Sequence, residues 1–232
     1  MFFYGIYILA AVLPAVILMR YIYLKDKVEQ EPTGLLLRLI IAGVIAALGA
    51  VILEEIGTNV LGMVVSPYDP LYVVFLAFAV VAFAEELMKF ICMKKVTWRN
   101  PNFNYRFDGT VYAVFTSLGF AAFENIGYVF GYGLGVAPAR AILAIPGHMS
   151  FAVFMGYFYG RAKLCYECGD DAGAFRNQVL ALVVAIFLHG FYDACALSGS
   201  EAASILFIVF IVIVDIAMIR TVKREANTDE PV

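Results

Sequence analysis

The sequence has 232 residues, of which 63% are hydrophobic and only 15% are charged, and its net charge is −3. Soluble domains of this length are closer to half apolar and about a quarter charged, so the composition excludes an ordinary soluble domain. No basic stripe is present, and we expect no nucleic-acid partner. The composition instead predicts an all-α bundle of transmembrane helices in a lipid bilayer.

Apolar runs of about 20 residues, long enough to cross a bilayer, predict seven spans. In chain order they lie near residues 2–23, 35–56, 71–93, 108–132, 139–162, 176–198 and 202–221. The first run has no basic segment before it and no small-residue cleavage site after it, so we interpret it as a true span. We expect residues 1–232 to form one transmembrane domain, with a motif-bearing core at about 71–198 and a flexible tail at 222–232.

Lysine and arginine residues flank alternate ends of these spans, which predicts the orientation of the bundle. All 16 of them except Lys89 and Arg140 lie at the ends that the positive-inside rule assigns to the cytoplasm. Lys89 falls inside the third span, and Arg140 is the one base in the connections on the other side. The N-terminus is therefore predicted to be outside and the C-terminus cytoplasmic.

Ionisable side chains within the predicted spans are candidate functional residues, because an unpaired charge in hydrocarbon is costly. They are Glu54, Glu55, Glu85, Glu86, Lys89, Glu124, His148, His189, Asp193 and Asp215. We interpret Glu54 and Glu55 as a solvated pair at the membrane interface. Asp215 lies close to the cytoplasmic end of its span and is interpreted as structural.

Three of these side chains, on three different spans, lie at one depth. A helix rise of about 1.5 Å per residue places Glu124, His148 and His189 roughly 12–13 Å below the outer surface. Glu85 and Glu86 are deeper on the third span, and a small tilt of that helix would bring them level. We therefore predict that these five residues converge in one catalytic site.

Spacing along the helices predicts supporting contacts. Glu85 and Lys89 are four residues apart, so they share a helix face and the ammonium can neutralise a carboxylate. His189 and Asp193 have the same spacing, and Asp193 can fix the tautomer of His189. Asn125 is interpreted either as an oxyanion donor or as a helix-to-helix hydrogen bond.

The residue types fit peptide hydrolysis, which needs an activated water, an oxyanion stabiliser and a proton donor for the leaving amine. Glu124, His148 and His189 would make a His₂Glu zinc site with an open fourth position. Glu85 or Glu86 would then be the general base, and zinc would bring the pKa of bound water to about 7. A metal-free site is the alternative, with a glutamate that activates water and with histidine and asparagine at the oxyanion; we favour the metal.

Four motifs follow one another on successive spans. Glu85–Lys89 is an E-E-x-x-K motif, Gly119–Asn125 reads G-F-A-A-F-E-N, His148 lies in the next span, and His189–Asp193 reads H-G-F-Y-D. This ordered set, within about residues 80–195, resembles the PrsW family of bacterial intramembrane proteases. That family is distantly similar to the CAAX prenyl endopeptidases and to Abi proteins.

The resemblance implies a multi-pass protein of a bacterial or archaeal plasma membrane. It implies site-1 cleavage of a single-span, membrane-anchored anti-sigma factor near the extracytoplasmic surface. Carried over to this sequence, the catalytic residues would be Glu85, Glu86, Glu124, His148 and His189. CAAX enzymes typically have a histidine where Glu124 stands and an asparagine where Asp193 stands, which argues for the PrsW branch.

Two functions of other classes are alternatives to proteolysis. Intramembrane Glu, His and Asp residues also serve proton- or ion-coupled transporters and channels. The absence of an internal sequence repeat argues against a transporter. A non-catalytic, Abi-like binding or immunity protein is the other alternative, and the intact set of motifs argues against it.

Overall fold

The structure is a computed structural model that describes residues 2–232. In this part of the chain there are seven long helices, and the only β-type pairing is an isolated bridge between Tyr105 and Pro231. The helices are α1 (Phe2–Tyr23), α2 (Thr33–Val64), α3 (72–97), α4 (Asp108–Tyr132), α5 (134–167), α6 (Asp171–Leu197) and α7 (Glu201–Asn227). The predicted all-α architecture is confirmed.

Two of the helices are composite. The segments of α3 are Tyr72–Phe75, the π-helical Leu76–Ala82 and Phe83–Thr97. The segments of α5 are a 3₁₀ turn at Leu134–Val136, then Ala137–Ala139, the π-helical Arg140–Ala144 and Ile145–Glu167. Each π segment ends within about one turn of a predicted site residue, Glu85 in α3 and His148 in α5.

A π turn holds one more residue than an α turn, so it changes the direction in which the following side chains point. In α5 its cause is visible in the sequence. Pro146 donates no hydrogen bond, and its ring would clash with the carbonyl group of Ile142 in a regular helix. Widening the turn before Pro146 removes that clash and orients the turn that contains His148.

Six of the seven helices, all except α3, are long and apolar enough to cross a membrane. In α3 the apolar sequence is interrupted by Glu85, Glu86 and Lys89. α2 continues to Val64 rather than ending near residue 56, because no proline interrupts it before Pro67. The prediction of a multi-pass membrane protein is confirmed, and the passage of α3 through the bilayer stays a prediction.

α4 is the central helix and contacts α1, α2, α3 and α5. Glycines let two of these neighbours approach its backbone. A Cβ atom on Gly119 would lie 2.6 Å from the carbonyl oxygen of Ile40 in α2, and one on Gly109 would lie 2.6 Å from the backbone nitrogen of Gly160 in α5. Close packing of this kind stabilises helix pairs in membranes, where the hydrophobic effect between helices is absent.

The C-terminal residues lie against the loop between α3 and α4. α7 continues to Asn227, so the first part of the segment 222–232, expected to be flexible, is helical. After this helix, the backbone N–H of Arg106 donates to the carbonyl oxygen of Glu230 at 3.0 Å. The tail therefore connects the end of α7 to the start of α4.

Candidate active site

Three charged side chains of α3 form the buried centre of the site. Glu85, Glu86 and Lys89 are 5%, 1% and 1% exposed. The Lys89 ammonium lies 2.8 Å from Glu85 Oε2 and 2.8 Å from Glu86 Oε1. It also lies 4.0 Å from the centroid of the Phe120 ring, whose face attracts a cation. Because two carboxylates share one ammonium, the ionised centre has an excess of negative charge.

His189 of α6 lies between this centre and a further carboxylate. Its Nδ1 is 2.9 Å from Glu86 Oε1 and 3.9 Å from Glu85 Oε2. Its Nε2 is 3.3 Å from Asp193 Oδ2, one turn along the same helix. Both ring nitrogens therefore face carboxylate oxygens, and Asp193 holds the ring from the side opposite Glu86.

His148 of α5 has a similar arrangement. Its Nδ1 lies 3.2 Å from the Lys89 ammonium, and its Nε2 lies 3.1 Å from Glu124 Oε2. Because an ammonium only donates hydrogen bonds, Nδ1 is the accepting nitrogen and Nε2–H donates to Glu124. The Ser117 hydroxyl of α4 donates to the carbonyl oxygen of His148 at 3.0 Å, which fixes this turn of α5 against α4.

The two histidines thus present Nδ1 to the charges of α3 and Nε2 to an outer carboxylate. That outer carboxylate is Glu124 for His148 and Asp193 for His189. Metal-binding histidines usually give their second ring nitrogen to a carboxylate or carbonyl group, which fixes the ring and makes the ligating nitrogen more basic. The arrangement around both rings is therefore typical of a metal site.

Arg140, at the start of the π segment of α5, covers the outer side of the site. Its Nη2 donates to Glu124 Oε2 at 2.9 Å, and its Nε donates to Asn125 Oδ1 at 2.7 Å. Its guanidinium also lies 3.8 Å from the centroid of the Tyr128 ring. The Asn125 amide donates to the carbonyl oxygen of Ala11 in α1 at 2.8 Å, so Asn125 joins α1 and α4 and positions Arg140.

A cavity of about 220 Å³ lies between these helices. Its polar wall is formed by Glu54, Glu85, Glu124, Arg140, His148, His189 and Asp193. Glu86 is packed behind this wall against Lys89 and His189. The two neighbouring glutamates of α3 therefore differ: the Glu85 carboxylate faces the cavity, whereas the Glu86 carboxylate faces the protein interior.

Sequence reasoning missed two residues of this wall. From the sequence alone, Arg140 is placed in a connection. Its being the single base among the outer connections was the signal that could have identified it. Glu54 was interpreted as half of a solvated pair, but it lines the cavity, whereas its neighbour Glu55 is exposed. The signal for Glu54 was weak, because only the rotation of α2 about its axis distinguishes it from Glu55.

Four residues offer a donor set for a metal ion. Ligand atoms of Glu85, Glu86, His148 and His189 all lie within 4.8 Å of one another. Imidazole nitrogens and carboxylate oxygens are ligands that zinc accepts. Glu86 Oε2 is buried and has no hydrogen-bond partner among the described side chains and backbone, which is the condition of an atom that a metal would satisfy. The site therefore fits a metal ion.

This donor set differs from the ligand set predicted from the sequence. Glu124 is outside the group of four and contacts the Nε2 of His148, on the far side of the ring from Lys89. Ligation by Glu124, His148 and His189 therefore stays a prediction, alongside ligation by the α3 glutamates. In either arrangement the Lys89 ammonium is close to the metal, and it neutralises part of the carboxylate charge.

A family model and individual relatives match most of the chain and name the same family. The PrsW family intramembrane metalloprotease model matches residues 31–218. The chain is 32% identical to Protease PrsW of Oceanobacillus iheyensis over 215 residues, which are 93% of this chain and 94% of that relative.

Two further relatives have the same name. Protease PrsW of Geobacillus kaustophilus is 34% identical, over 79% of this chain and 76% of its own length. Protease PrsW of Bacillus subtilis is 32% identical, over 87% of this chain and 88% of its own length. No solved structure matches the chain significantly. The family match and these identities show that the chain belongs to the PrsW family of intramembrane metalloproteases.

Proposed function

We propose that this protease cleaves a single-span membrane protein close to the extracytoplasmic surface, and that the substrate is a membrane-anchored anti-sigma factor. The position of the cavity supports the place of cleavage. Glu124 and His189 each lie eight residues before the ends of their helices, α4 and α6. That spacing puts them about 12 Å from those ends, which the distribution of Lys and Arg assigns to the outside.

The observation that carries the catalytic proposal is the pair of histidines held between the α3 charges and outer carboxylates. We propose zinc as the metal, with His148 Nδ1, His189 Nδ1 and Glu86 as its protein ligands. For His148 Nδ1 to bind zinc, the Lys89 ammonium would give up its contact with that nitrogen and keep its contact with Glu85. Glu86 is the better ligand of the two α3 glutamates because it is buried and has the unpartnered oxygen. Glu124 and Asp193 would then orient the imidazoles rather than bind the metal.

Bound zinc supplies a Lewis acid that polarises the scissile carbonyl group and lowers the pKa of water to about 7. In this proposal Glu85 is the general base, because its carboxylate faces the cavity. It accepts a proton from the attacking water and delivers it to the leaving amine. Arg140, also on the cavity wall, is positioned to stabilise the oxyanion that forms on the scissile carbonyl.

Metal analysis distinguishes the possible ligand sets. Purified native protein should contain stoichiometric zinc, and Glu86→Gln and His148→Ala should lose it. Glu124→Gln should retain zinc if Glu124 only orients His148. Loss of zinc in Glu124→Gln with retention in Glu86→Gln would instead favour the set Glu124, His148 and His189. An active native protein without any metal would overturn both.

Cleavage in liposomes tests the substrate class. Native protein is reconstituted with each single-span anti-sigma factor of the host bacterium, tagged at both ends. We expect at least one of them to be cut on its extracytoplasmic side, and Glu85→Gln to abolish that cut. Glu55→Gln is the matched control, because Glu55 is exposed and should be dispensable. Full activity of Glu85→Gln would refute its role as base, and an uncleaved panel would refute the substrate class.

A further inference from the structure

A groove opens between α2 and α4 above the point where their backbones touch. A Cβ atom on Gly43 would lie 2.1 Å from the carbonyl oxygen of Thr116, so the backbones of the two helices are in direct contact there. One to three turns further along these helices there is a space of about 400 Å³. Its apolar lining, here called the α2–α4 groove, is Ala47, Val51, Phe120, Phe123, Ile126 and Gly127.

The α2–α4 groove faces outwards and leads inwards to the catalytic cavity. Val51 is 60% exposed and Phe123 is 37% exposed, so the mouth of the groove lies on the outer surface of the bundle. In a membrane this surface meets lipid. At the inner end, Glu54, Glu85 and Glu124 line both the groove and the cavity. An apolar path therefore runs from the lipid to the proposed general base.

The size of the groove limits what it accepts. A whole helix is about 10–12 Å across with its side chains, which is too wide for this space. A few apolar side chains of a locally unwound segment would fit. Unwinding is also needed for hydrolysis, because a helical segment keeps its carbonyl groups in internal hydrogen bonds. Non-helical backbone at membrane depth is tolerated only where protein or a cavity surrounds it.

We propose that the α2–α4 groove binds the apolar residues of the substrate's membrane-spanning segment that adjoin the scissile bond. The substrate thus enters laterally from the lipid, between α2 and α4, and its cleaved bond reaches Glu85. This inference rests on the proposed function in one respect, namely that the substrate has a membrane-spanning segment. It adds the binding subsite and the route of entry.

A second opening of the cavity is the competing route. It lies at the start of α5, the end of α6 and the start of α7, and is lined in part by Arg140, Asp193 and Ser204. Most of its lining is apolar, but these charged and hydroxyl groups make it more polar than the α2–α4 groove, so it suits the polar, extracytoplasmic part of a substrate better than the groove does. The experiment therefore includes a variant that obstructs this opening.

Gly127→Trp tests the groove because it fills the space without a clash: a Cβ atom on Gly127 would meet no atom within 4 Å. On an anti-sigma factor that the native protein cleaves, we expect kcat/KM to fall about tenfold or more, the effect of a misfit in an apolar pocket. Zinc content should be unchanged. Gly62→Trp is the matched control, since Gly62 has the same open surroundings on α2 but is not part of the groove.

Ser204→Trp obstructs the second opening and tests the competing route. Ser204→Trp should leave the cleavage rate less affected than Gly127→Trp. Unchanged cleavage in Gly127→Trp, with strong loss in Ser204→Trp, would overturn the inference. Equal losses in Gly127→Trp and Gly62→Trp would also overturn it, because the effect would then not belong to the groove.

A cross-linking measurement needs no cleavage and separates this inference from the proposed substrate. The probe is a synthetic peptide with a Leu-Ala membrane-spanning segment of about 20 residues and one cysteine at its outer end. In liposomes, Gly127→Cys protein should form several-fold more disulfide-linked product than Gly62→Cys protein. Equal yields would overturn the groove, even if anti-sigma factors are cleaved. Selective cross-linking without cleavage of any anti-sigma factor would overturn only the substrate class.

Discussion

Two groups of buried carboxylates lie at different levels of the bundle and are neutralised in different ways. The catalytic cluster, formed by Glu85, Glu86, Lys89, His148 and His189, has a fixed ammonium and two imidazoles among its acids. The basal cluster, formed by Asp26, Glu31 and Asp108, lies where the loop between α1 and α2 meets the start of α4. These three acids are 2%, 4% and 1% exposed.

No Lys or Arg forms an ion pair with an acid of the basal cluster among the side chains that the structure describes. Arg106, in the neighbouring loop, pairs instead with Glu225 and Glu230. The Tyr112 hydroxyl donates to Glu31 Oε1 at 2.6 Å, but the other oxygen of Glu31 is buried and has no partner among the described residues. The same is true of Asp26 Oδ2.

Burial is the main cause that raises the pKa of Asp26 and of Glu31 to about 7, and neighbouring carboxylates add to it. Protons therefore do in the basal cluster what the Lys89 ammonium does in the catalytic cluster. In the catalytic cluster the neutralising ammonium is a fixed part of the site. A cluster neutralised by protons changes its charge near neutral pH.

Removal of the Lys89 ammonium should have the largest effect on stability and tests this difference between the two clusters. Lys89→Met leaves Glu85 and Glu86 buried without their ammonium, and breaking a buried ion pair costs about 3–5 kcal/mol. We expect the free energy of unfolding in detergent with EDTA to fall by that amount. Added zinc should restore part of it, because a divalent cation replaces the lost charge. Calorimetric or chemical unfolding with and without zinc measures both effects.

The control for this change is Lys95→Met, on the same helix but exposed, which should alter stability by less than about 0.5 kcal/mol. Native-like stability of Lys89→Met in EDTA would contradict the comparison. It would mean that one of the α3 carboxyls takes up a proton, as in the basal cluster.

The second cation of the site, Arg140, should affect activity more than stability. Arg140→Gln removes the guanidinium that contacts Glu124 and faces the cavity, and we expect kcat to fall about a hundredfold or more, as for loss of an oxyanion donor. Zinc content should be unchanged, because Arg140 contacts none of the four donor residues. Arg161→Gln, an exposed arginine on the same helix, is the control. Loss of zinc in Arg140→Gln would instead assign Arg140 a structural role.

Contacts within one helix could be predicted from the sequence, whereas contacts between helices could not. The i,i+4 spacing anticipated that Glu85 contacts Lys89 and that Asp193 lies beside His189. The pairing of Glu86 with His189 depends on the rotation of α3 and α6 about their axes, which the sequence does not specify. The π segment before Glu85 changes that rotation, and no proline marks it.

The basal cluster was missed for a different reason. Its acids lie in or next to loops, where polar residues are normally solvated, so the sequence does not distinguish Asp26 and Glu31 from solvated acids. They are buried because the α1–α2 loop packs under α4 and Tyr112 reaches Glu31. Depth along a helix, which located the catalytic cluster, has no counterpart for loop residues.

The pH dependence of stability should reveal the basal cluster. Since the folded-state pKa values of Asp26 and Glu31 lie near 7 and their unfolded values near 4, the folded protein binds more protons between these limits. The contribution of these two carboxyls to stability is therefore fully present below about pH 4 and is lost as the pH rises through about 7. One such carboxyl accounts for about 1.4 kcal/mol between pH 6 and pH 8. Unfolding at these two pH values measures the difference.

Asp26→Asn should reduce this difference between pH 6 and pH 8 and stabilise the protein at pH 8. The control is Asp171→Asn, an exposed acid at the start of α6. An unchanged pH difference in Asp26→Asn would show that the carboxyl of Asp26 is not protonated in the folded protein.

The smallest predicted effect concerns Tyr112, the one residue in the described part of the chain whose hydroxyl contacts the basal cluster. Tyr112 Oη lies 2.6 Å from Glu31 Oε1 and 2.9 Å from the carbonyl oxygen of Asn102, so its single proton serves one of them at a time. Donation to Glu31 favours the charged carboxylate and holds its pKa below the value that burial alone would give. Tyr112→Phe should therefore move the titration midpoint upwards from about 7 and cost about 1 kcal/mol of stability.

Trp98 is the only tryptophan of the sequence. The centroid of its ring lies 6.4 Å from that of Phe103, in the loop beside this cluster. Trp98 fluorescence between pH 5 and pH 9 therefore reports the titration of Glu31. Tyr105→Phe is the control for loss of a hydroxyl in the same region. An upward shift in Tyr112→Phe alone requires a hydroxyl that donates to an ionised Glu31. A downward shift would mean that Glu31 is the donor and Tyr112 the acceptor, so that the native contact stabilises the protonated acid instead. An unchanged midpoint would contradict the prediction, because it would mean that the contact with Tyr112 does not affect the pKa of Glu31.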